Sequence, residues 1–184
     1  MEPSDQDLVK AIGAGDHVAF ECLVRRYQGI VMSFVYRHAG GDRLMAEDLA
    51  QEVFLRVYRA SADFEPRGSV KAWILTIAYN LWLNERKRFA RRRKLLHDLA
   101  ERDIGGEIGD KGDPLEASER GRELMSALDR LPERQRAALL LKVRDSLSYA
   151  EIGKVLSVSV SSVESLLFRA RRSLRQTMGK SPKE

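Results

Sequence analysis

LSYAEIGKVLSVSVSSVESLLFRARRSLRQ, residues 147–176, decides the fold of the second half of this chain. Ser148 and Glu151 have the spacing of a capping box, and they open a short helix to about Leu156 packed through Ile152, Val155 and Leu156. Ser157-Val158-Ser159 leaves room for a turn and nothing longer. A second helix then carries Val160, Val163, Leu167, Ala170 and Leu174 on one face. Its other face offers Ser161, Ser162, Glu164, Ser165, Phe168, Arg169 and Arg172. The alternation in SVSVSSV also fits a strand, but the chain from Glu164 onward is helical and no partner strand is evident. A short capped helix, a three-residue turn and a longer basic helix make the plan of a helix-turn-helix. The second helix of such a unit enters the DNA major groove, its first turns at base edges and its basic end at phosphates. An ordinary helical hairpin with a solvated face fits the same residues.

Upstream, the chain continues to read as helix. Leu131-Pro132 breaks one helix and starts the next, and Asp113-Pro114-Leu115-Glu116 supplies a cap, a first-turn proline and a capping acid. Residues 97–113 hold four glycines, six acids and no aromatic residue, the composition of a flexible acidic linker. Before it, Ser4 with Asp7 caps an opening helix, and Asp16 caps a second with Phe20, Leu23, Val24, Tyr27, Val31 and Phe34 at helical spacing. Gly40-Gly41 stops that helix, and Asp42 starts a third running to about Asp63. Pro66 and Gly68 make residues 64–69 a loop, and Ser69 caps a long helix that ends in a basic run. The expected fold is all-α, with two small helical domains at 1–96 and 114–184 joined by the linker.

Composition excludes several alternatives. With 43% hydrophobic and 32% charged residues, the chain is neither disordered nor a membrane protein. The longest clean apolar run is five residues at 137–141, far short of a membrane span, and the polar start MEPSDQDLVK is unlike a signal peptide. These features lead us to expect a soluble intracellular protein. Cys22, the one cysteine, lies just off a helix's buried stripe and is a packing residue. His17, His38 and His97 lack metal-ligand spacing, and there is no phosphate-binding glycine loop, so neither catalysis nor a cofactor is expected. The net charge of +5 is unevenly spread. Residues 1–85 and 95–118 are net acidic, 86–94 hold seven cations and no acid, and 119–184 are net basic. Two basic zones flanking an acidic stretch suit a polyanion touched at two places, although arginine-rich coding from genome composition gives the same count.

Three features stand out in the first half. In AEDLAQEVFLRVYRA (46–60), Ala50, Val53, Phe54 and Val57 form the buried stripe, while Asp48, Gln51, Glu52 and Leu55 lie largely outside it. Such an acidic face is either solvated or a partner surface. In FEPRGSVKAWILTIAYNLWLNERKR (64–88), aromatic and amide residues lie near cations, the chemistry that holds splayed single-stranded bases. Trp73, Ile77 and Leu81 also have core spacing, which suffices to explain Trp73 and Ile77. The run Arg86, Lys87, Arg88, Arg91, Arg92, Arg93 and Lys94 is a phosphate-binding segment or a solvated helix end.

Residues 147–176, with the preceding ALDRLPERQRAALLLKVRDSLSYAEI, resemble the promoter-reading domain of bacterial sigma-70 family factors, in particular the extracytoplasmic-function (ECF) subfamily. The 46–60 stretch resembles the family's region 2.2, which docks on the clamp helices of the RNA polymerase β′ subunit. This resemblance implies polymerase contact by Asp48, Gln51, Glu52 and Arg56. The 64–88 stretch resembles regions 2.3 and 2.4, which open the −10 promoter element and capture an extruded base. Carried over by position, Phe64, Arg67, Ser69, Lys71, Tyr79, Asn80 and Asn84 would face the non-template strand, with Arg86, Lys87 and Arg88 at phosphates. Asn84 stands where relatives commonly carry aspartate. For the −35 element the resemblance points to Ser161, Ser162, Ser165, Arg169, Arg171 and Arg172. Two departures matter: Ser157 replaces the turn glycine, and Glu164, Leu166 and Phe168 stand at positions often basic or polar. They leave Leu166 and Phe168 open between thymine methyls, domain packing and a protein partner.

The resemblance implies a non-enzymatic specificity subunit with core RNA polymerase (β′ clamp helices and β flap) and promoter DNA as partners. It further implies an anti-sigma factor, no cofactor and no membrane insertion. The expected location is the bacterial cytoplasm, at the nucleoid when active or at the inner membrane when held by an anti-sigma factor. A stand-alone helix-turn-helix regulator is the alternative. It accounts for 115–178 but gives no role to the aromatic–amide–basic block at 64–94.

Overall fold

The computed structural model describes residues 2–65, 68–99 and 119–178, and all regular structure among them is helical. The chain divides into an N-terminal unit carrying α1–α4 and a C-terminal unit carrying α5–α8. The proposed linker from residue 100 onward, the cap at 113–116, Pro66 and Arg67 lie outside the described residues.

In the N-terminal unit the helices are α1 (Asp5–Gly13), α2 (His17–His38), α3 (Arg43–Ala60) and α4 (Val70–Leu99). The start signals act as expected. Ser4 Oγ accepts from Asp7 N, Asp16 from Val18 N and Ala19 N, and Asp42 from Met45 N. Gly40 and Gly41 take φ of 68° and 87° and turn the chain after α2. The central α2 packs on α1, α3 and α4 through Leu23, Tyr27, Val31, Phe34 and Val35. The Tyr27 hydroxyl donates to Asp5, tying α1 to α2, and its burial there pushes its pKa up.

Several boundaries and stripes differ from expectation. Helix α3 ends at Ala60 rather than near Asp63, because Ser61 Oγ turns back to donate to Tyr58 O at 2.7 Å. Helix α4 runs three residues past the expected boundary at 96, since no breaker occurs before Gly105. On α2, Phe20 and Val24 are half-buried, and the buried stripe instead includes Ala19, Val35 and His38. On α3 the stripe is Ala46, Leu49, Val53, Phe54 and Val57, with Ala50 at its half-buried edge.

The C-terminal unit contains α5 (Glu119–Asp129), α6 (Glu133–Val143), α7 (Tyr149–Leu156) and α8 (Val160–Met178). Arg136 of α6 reaches Asp129 at 2.9 Å and Glu133 at 3.1 Å, bracing the break at Pro132. Both halves of the Ser148–Glu151 capping box form. Gly153 lies against the turn: a Cβ there would meet Val158 O at 2.8 Å, while Val158 N donates to Gly153 O at 2.9 Å. Val163, Leu167 and Ala170 bury α8's inner face, but Val160, in the first turn, is 46% exposed and stands clear of the core.

The turn itself is strained at Ser157. Ser157 has φ 53° and ψ 50°, a left-handed conformation that glycine adopts without a Cβ penalty. Ser157→Gly is therefore expected to stabilise the C-terminal unit by about 0.5–1 kcal/mol, the relieved strain exceeding the added unfolded-state entropy. Thermal unfolding should show a midpoint a few degrees higher, and an unchanged or lower midpoint would contradict the strain argument.

Candidate nucleic-acid interface

The outward side of α4 is a single stripe. Trp73, Ile77, Asn80, Asn84, Lys87, Arg88 and Arg91 recur at three- and four-residue intervals, within about 60° of one line along the helix. The stripe passes from half-buried rings and aliphatics through exposed amides to exposed cations. Trp73 and Ile77 are therefore not core residues as expected, and only Leu81 of that trio is buried. Phe64, from the preceding loop, lies on Trp73 with ring centroids 4.7 Å apart. Ser69 Oγ accepts from Ala72 N at 3.2 Å and so caps the helix.

Beside this stripe lies a cleft of about 530 Å³, lined by Arg56, Arg59, Ala60 and Asp63 from the α3 end and Ile77 and Asn80 from α4. Arg59 and Asp63 were missed in the sequence. Arg56, Arg59, Ala60 and Asp63 follow the spacing of one helix face, but only the packing of α3 on α4 sets that face opposite Asn80.

Other expected residues part from the stripe. Tyr79 is the clear correction: it is only 2% exposed, its ring in edge contact with His38 at 6.0 Å, so it cannot face a strand from this position. Helix α4 packs against both α2 and α3, and Tyr79 lies in the arc it buries between them. Half-buried Lys71 and exposed Arg86 lie on the side of α4 away from Asn80. The side chains of Arg92, Arg93 and Lys94 are outside the described set.

On α3, Asp48, Gln51, Glu52, Leu55 and Arg56 share the outer face, with Leu55 48% exposed. Arg56 Nε is 2.8 Å from Glu52 Oε1, an i,i+4 pair that holds both side chains along the helix. On α8, Ser161, Ser165, Arg169, Arg171 and Arg172 are exposed, and Ser162 is half-buried. Ser159 Oγ caps this helix by accepting from Ser162 N at 3.2 Å, and it also lies 3.0 Å from Ser161 Oγ. Phe168 is 66% exposed, Leu166 half-buried, and Arg175 extends the cationic row. Among the described residues no cluster of three or more His, Cys, Asp or Glu could hold a metal, and no helix is long and apolar enough to cross a membrane.

Comparison with known proteins bears directly on both units. Residues 23–93 match the Sigma-70 region 2 family and residues 121–174 match Sigma-70, region 4. The chain is 35% identical over 190 residues to the ECF RNA polymerase sigma factor SigE of Mycolicibacterium smegmatis, covering 100% of this chain and 73% of that protein.

The chain belongs to the ECF branch of the sigma-70 family.

It is also 35% identical over 179 residues to the ECF RNA polymerase sigma-E factor of Escherichia coli K12, covering 93% and 92% of the two chains. Among solved structures, CnrH in complex with the cytosolic domain of CnrY matches with a TM-score of 0.69 at 25% identity, covering 97% of this chain and 99% of that one. RpoE of Bartonella quintana, in complex with the anti-sigma factor NepR, matches with a TM-score of 0.70 over 89% of this chain and 98% of that one; at 20% identity it supports the fold alone. In this ECF sigma factor, the region 2 match spans the outer face of α3, the cleft and the α4 stripe as far as residue 93. The region 4 match contains the helix-turn-helix.

Proposed function

We propose that this sigma factor gives RNA polymerase its promoter specificity through three surfaces, one on each of α3, α4 and α8. The observation carrying the proposal is the α4 stripe, which changes from the Phe64–Trp73 pair through Asn80 and Asn84 to Lys87, Arg88 and Arg91. Rings stack bases, amides bind their edges and cations hold phosphates, the three kinds of contact that a melted −10 strand lying along the helix can use. The α3 face of Asp48, Gln51, Glu52 and Arg56 docks on the β′ clamp helices. The C-terminal unit binds the −35 duplex through Ser161, Ser162, Ser165, Arg169, Arg171 and Arg172, and meets the β flap. Polymerase performs the chemistry, and this chain supplies contacts only. An anti-sigma factor regulates it by covering these surfaces, a reading supported by CnrH, 25% identical to this chain and solved bound to the cytosolic domain of another protein, CnrY.

In vitro transcription with bacterial core polymerase and this protein, on a fragmented genomic library, tests the reading. Discrete start sites absent with core alone are expected. Failure both to bind core and to initiate would overturn it. A stand-alone regulator is less well supported, because it leaves the cleft and the α4 stripe unused.

The cationic end of the stripe makes a separate prediction. Replacing Lys87, Arg88 and Arg91 together by alanine removes up to three phosphate contacts. The slope of log affinity against log salt for the polymerase complex should flatten by about two to three, from 0.7–0.9 per phosphate. Affinity should fall alike on all promoter sequences; a loss confined to particular sequences would contradict a phosphate role.

A further inference from the structure

Glu164 is the one acidic residue of α8, and it is exposed on the outer face of that helix. Its neighbours at i−4, i−3, i+3 and i+4 are Val160, Ser161, Leu167 and Phe168, so no helix-adjacent cation can neutralise it. No other ion pair reaches it among the described residues. It lies about 60° from Ser161 around the axis, and the buried residues Val163, Leu167 and Ala170 lie about 60–120° from it on the other flank, so Glu164 borders the outer face. Glu164 is exposed at the edge of the face that carries Ser161 and Ser165, within reach of the same groove wall, while Arg169, Arg171, Arg172 and Arg175 follow in the later turns. An unneutralised carboxylate in the first two turns of a groove-reading helix is repelled by every phosphate. A base that presents a hydrogen-bond donor offsets that repulsion.

This reasoning rests on the −35-reading role proposed above, and we infer from it that Glu164 is a specificity residue that selects cytosine at one position of the upstream element. Cytosine is the base whose own major-groove edge offers a donor, N4–H₂, with no acceptor beside it. Adenine pairs its N6 donor with the N7 acceptor, guanine shows two acceptors, and thymine shows an acceptor and a methyl group; each opposes a carboxylate. Glu164 thus adds discrimination by excluding three bases at one position, while Arg169, Arg171 and Arg172 supply the affinity.

The test uses holoenzyme reconstituted from core polymerase and the full chain, transcribing a library randomised across the upstream element, with the productive templates sequenced. The parent chain should enrich cytosine at one position. Glu164→Ala should relax that preference about ten-fold and leave the other positions as they were. Glu164→Gln should extend acceptance to adenine, whose N6 and N7 suit an amide. If both variants keep the parent preference at every position, or transcribe all templates better by a common factor, Glu164 does not read a base and the inference falls. If the parent chain enriches nothing upstream, the −35 role itself fails and takes this inference with it. Because Glu164 is exposed, unchanged thermal unfolding of both variants is expected, and it separates a specificity effect from a folding one.

Discussion

Asn80→Ala is expected to leave binding to core polymerase unchanged while slowing promoter opening about ten- to one-hundred-fold. Asn80 is exposed on α4, at the cleft it lines with Arg56, Arg59, Ala60, Asp63 and Ile77. Its amide offers both a donor and an acceptor, which a side chain needs to hold the polar edge of a base taken out of the stack. A bidentate amide–base contact contributes about 1–3 kcal/mol, and losing it accounts for the stated range of rates. Alanine has the higher helix propensity at an exposed site, so α4 should persist. Of the polymerase-facing residues on α3, Asp48, Gln51 and Glu52 do not line this cleft, and Arg56, which does, is held along α3 by its pair with Glu52 rather than by Asn80. Permanganate footprinting reports opening and a pull-down reports core binding. Equal losses in both assays would mean that Asn80 supports the fold or the polymerase surface rather than the melted strand.

Much of this architecture was legible because the chain marks its helix ends in local chemistry. Ser4, Asp16, Asp42 and Ser148 cap where their side chains predict, and the α7–turn–α8 plan follows from the capping box, three turn residues and the apolar spacing of α8. What local spacing does not carry is how many partners a helix has. A helix with one partner buries a narrow stripe, whereas α4 packs on both α2 and α3 and buries Val70, Ala72, Ile74, Leu75, Ala78, Tyr79, Leu81 and Trp82. These span an arc of about 200°, which pushes Trp73 and Ile77 to the outer edge and draws Tyr79 inside. Arg59 and Asp63 were missed for the same reason, because they meet Asn80 only once α3 lies on α4. The departures at Ser157 and Glu164 were visible as sequence, but only the backbone angles and the exposed face give them physical meaning.

The placement of Tyr79 yields the largest expected change in stability. Its ring lies in the N-terminal core beside His38, which itself stacks on Phe34 with centroids 4.3 Å apart and meets Trp82 edge-on at 6.2 Å. Tyr79→Ala removes a fully buried aromatic ring and should cost about 3–5 kcal/mol, a third or more of the stability of an ordinary small domain. The midpoint of the N-terminal unit should fall by more than about 10 °C. The C-terminal unit, whose core of Leu141, Ile152, Val155, Val163 and Leu167 does not include Tyr79, should unfold where it did before. Tyr79→Phe provides the sharper comparison. It keeps the ring in its packing site and gives up only the hydroxyl, a loss of roughly 1 kcal/mol. If Tyr79 acts through packing, this variant should open promoters within about two-fold of the parent chain. If Tyr79→Phe instead blocks opening as severely as Asn80→Ala while its midpoint stays put, the hydroxyl must reach DNA. The ring would then have to leave the core when the promoter melts.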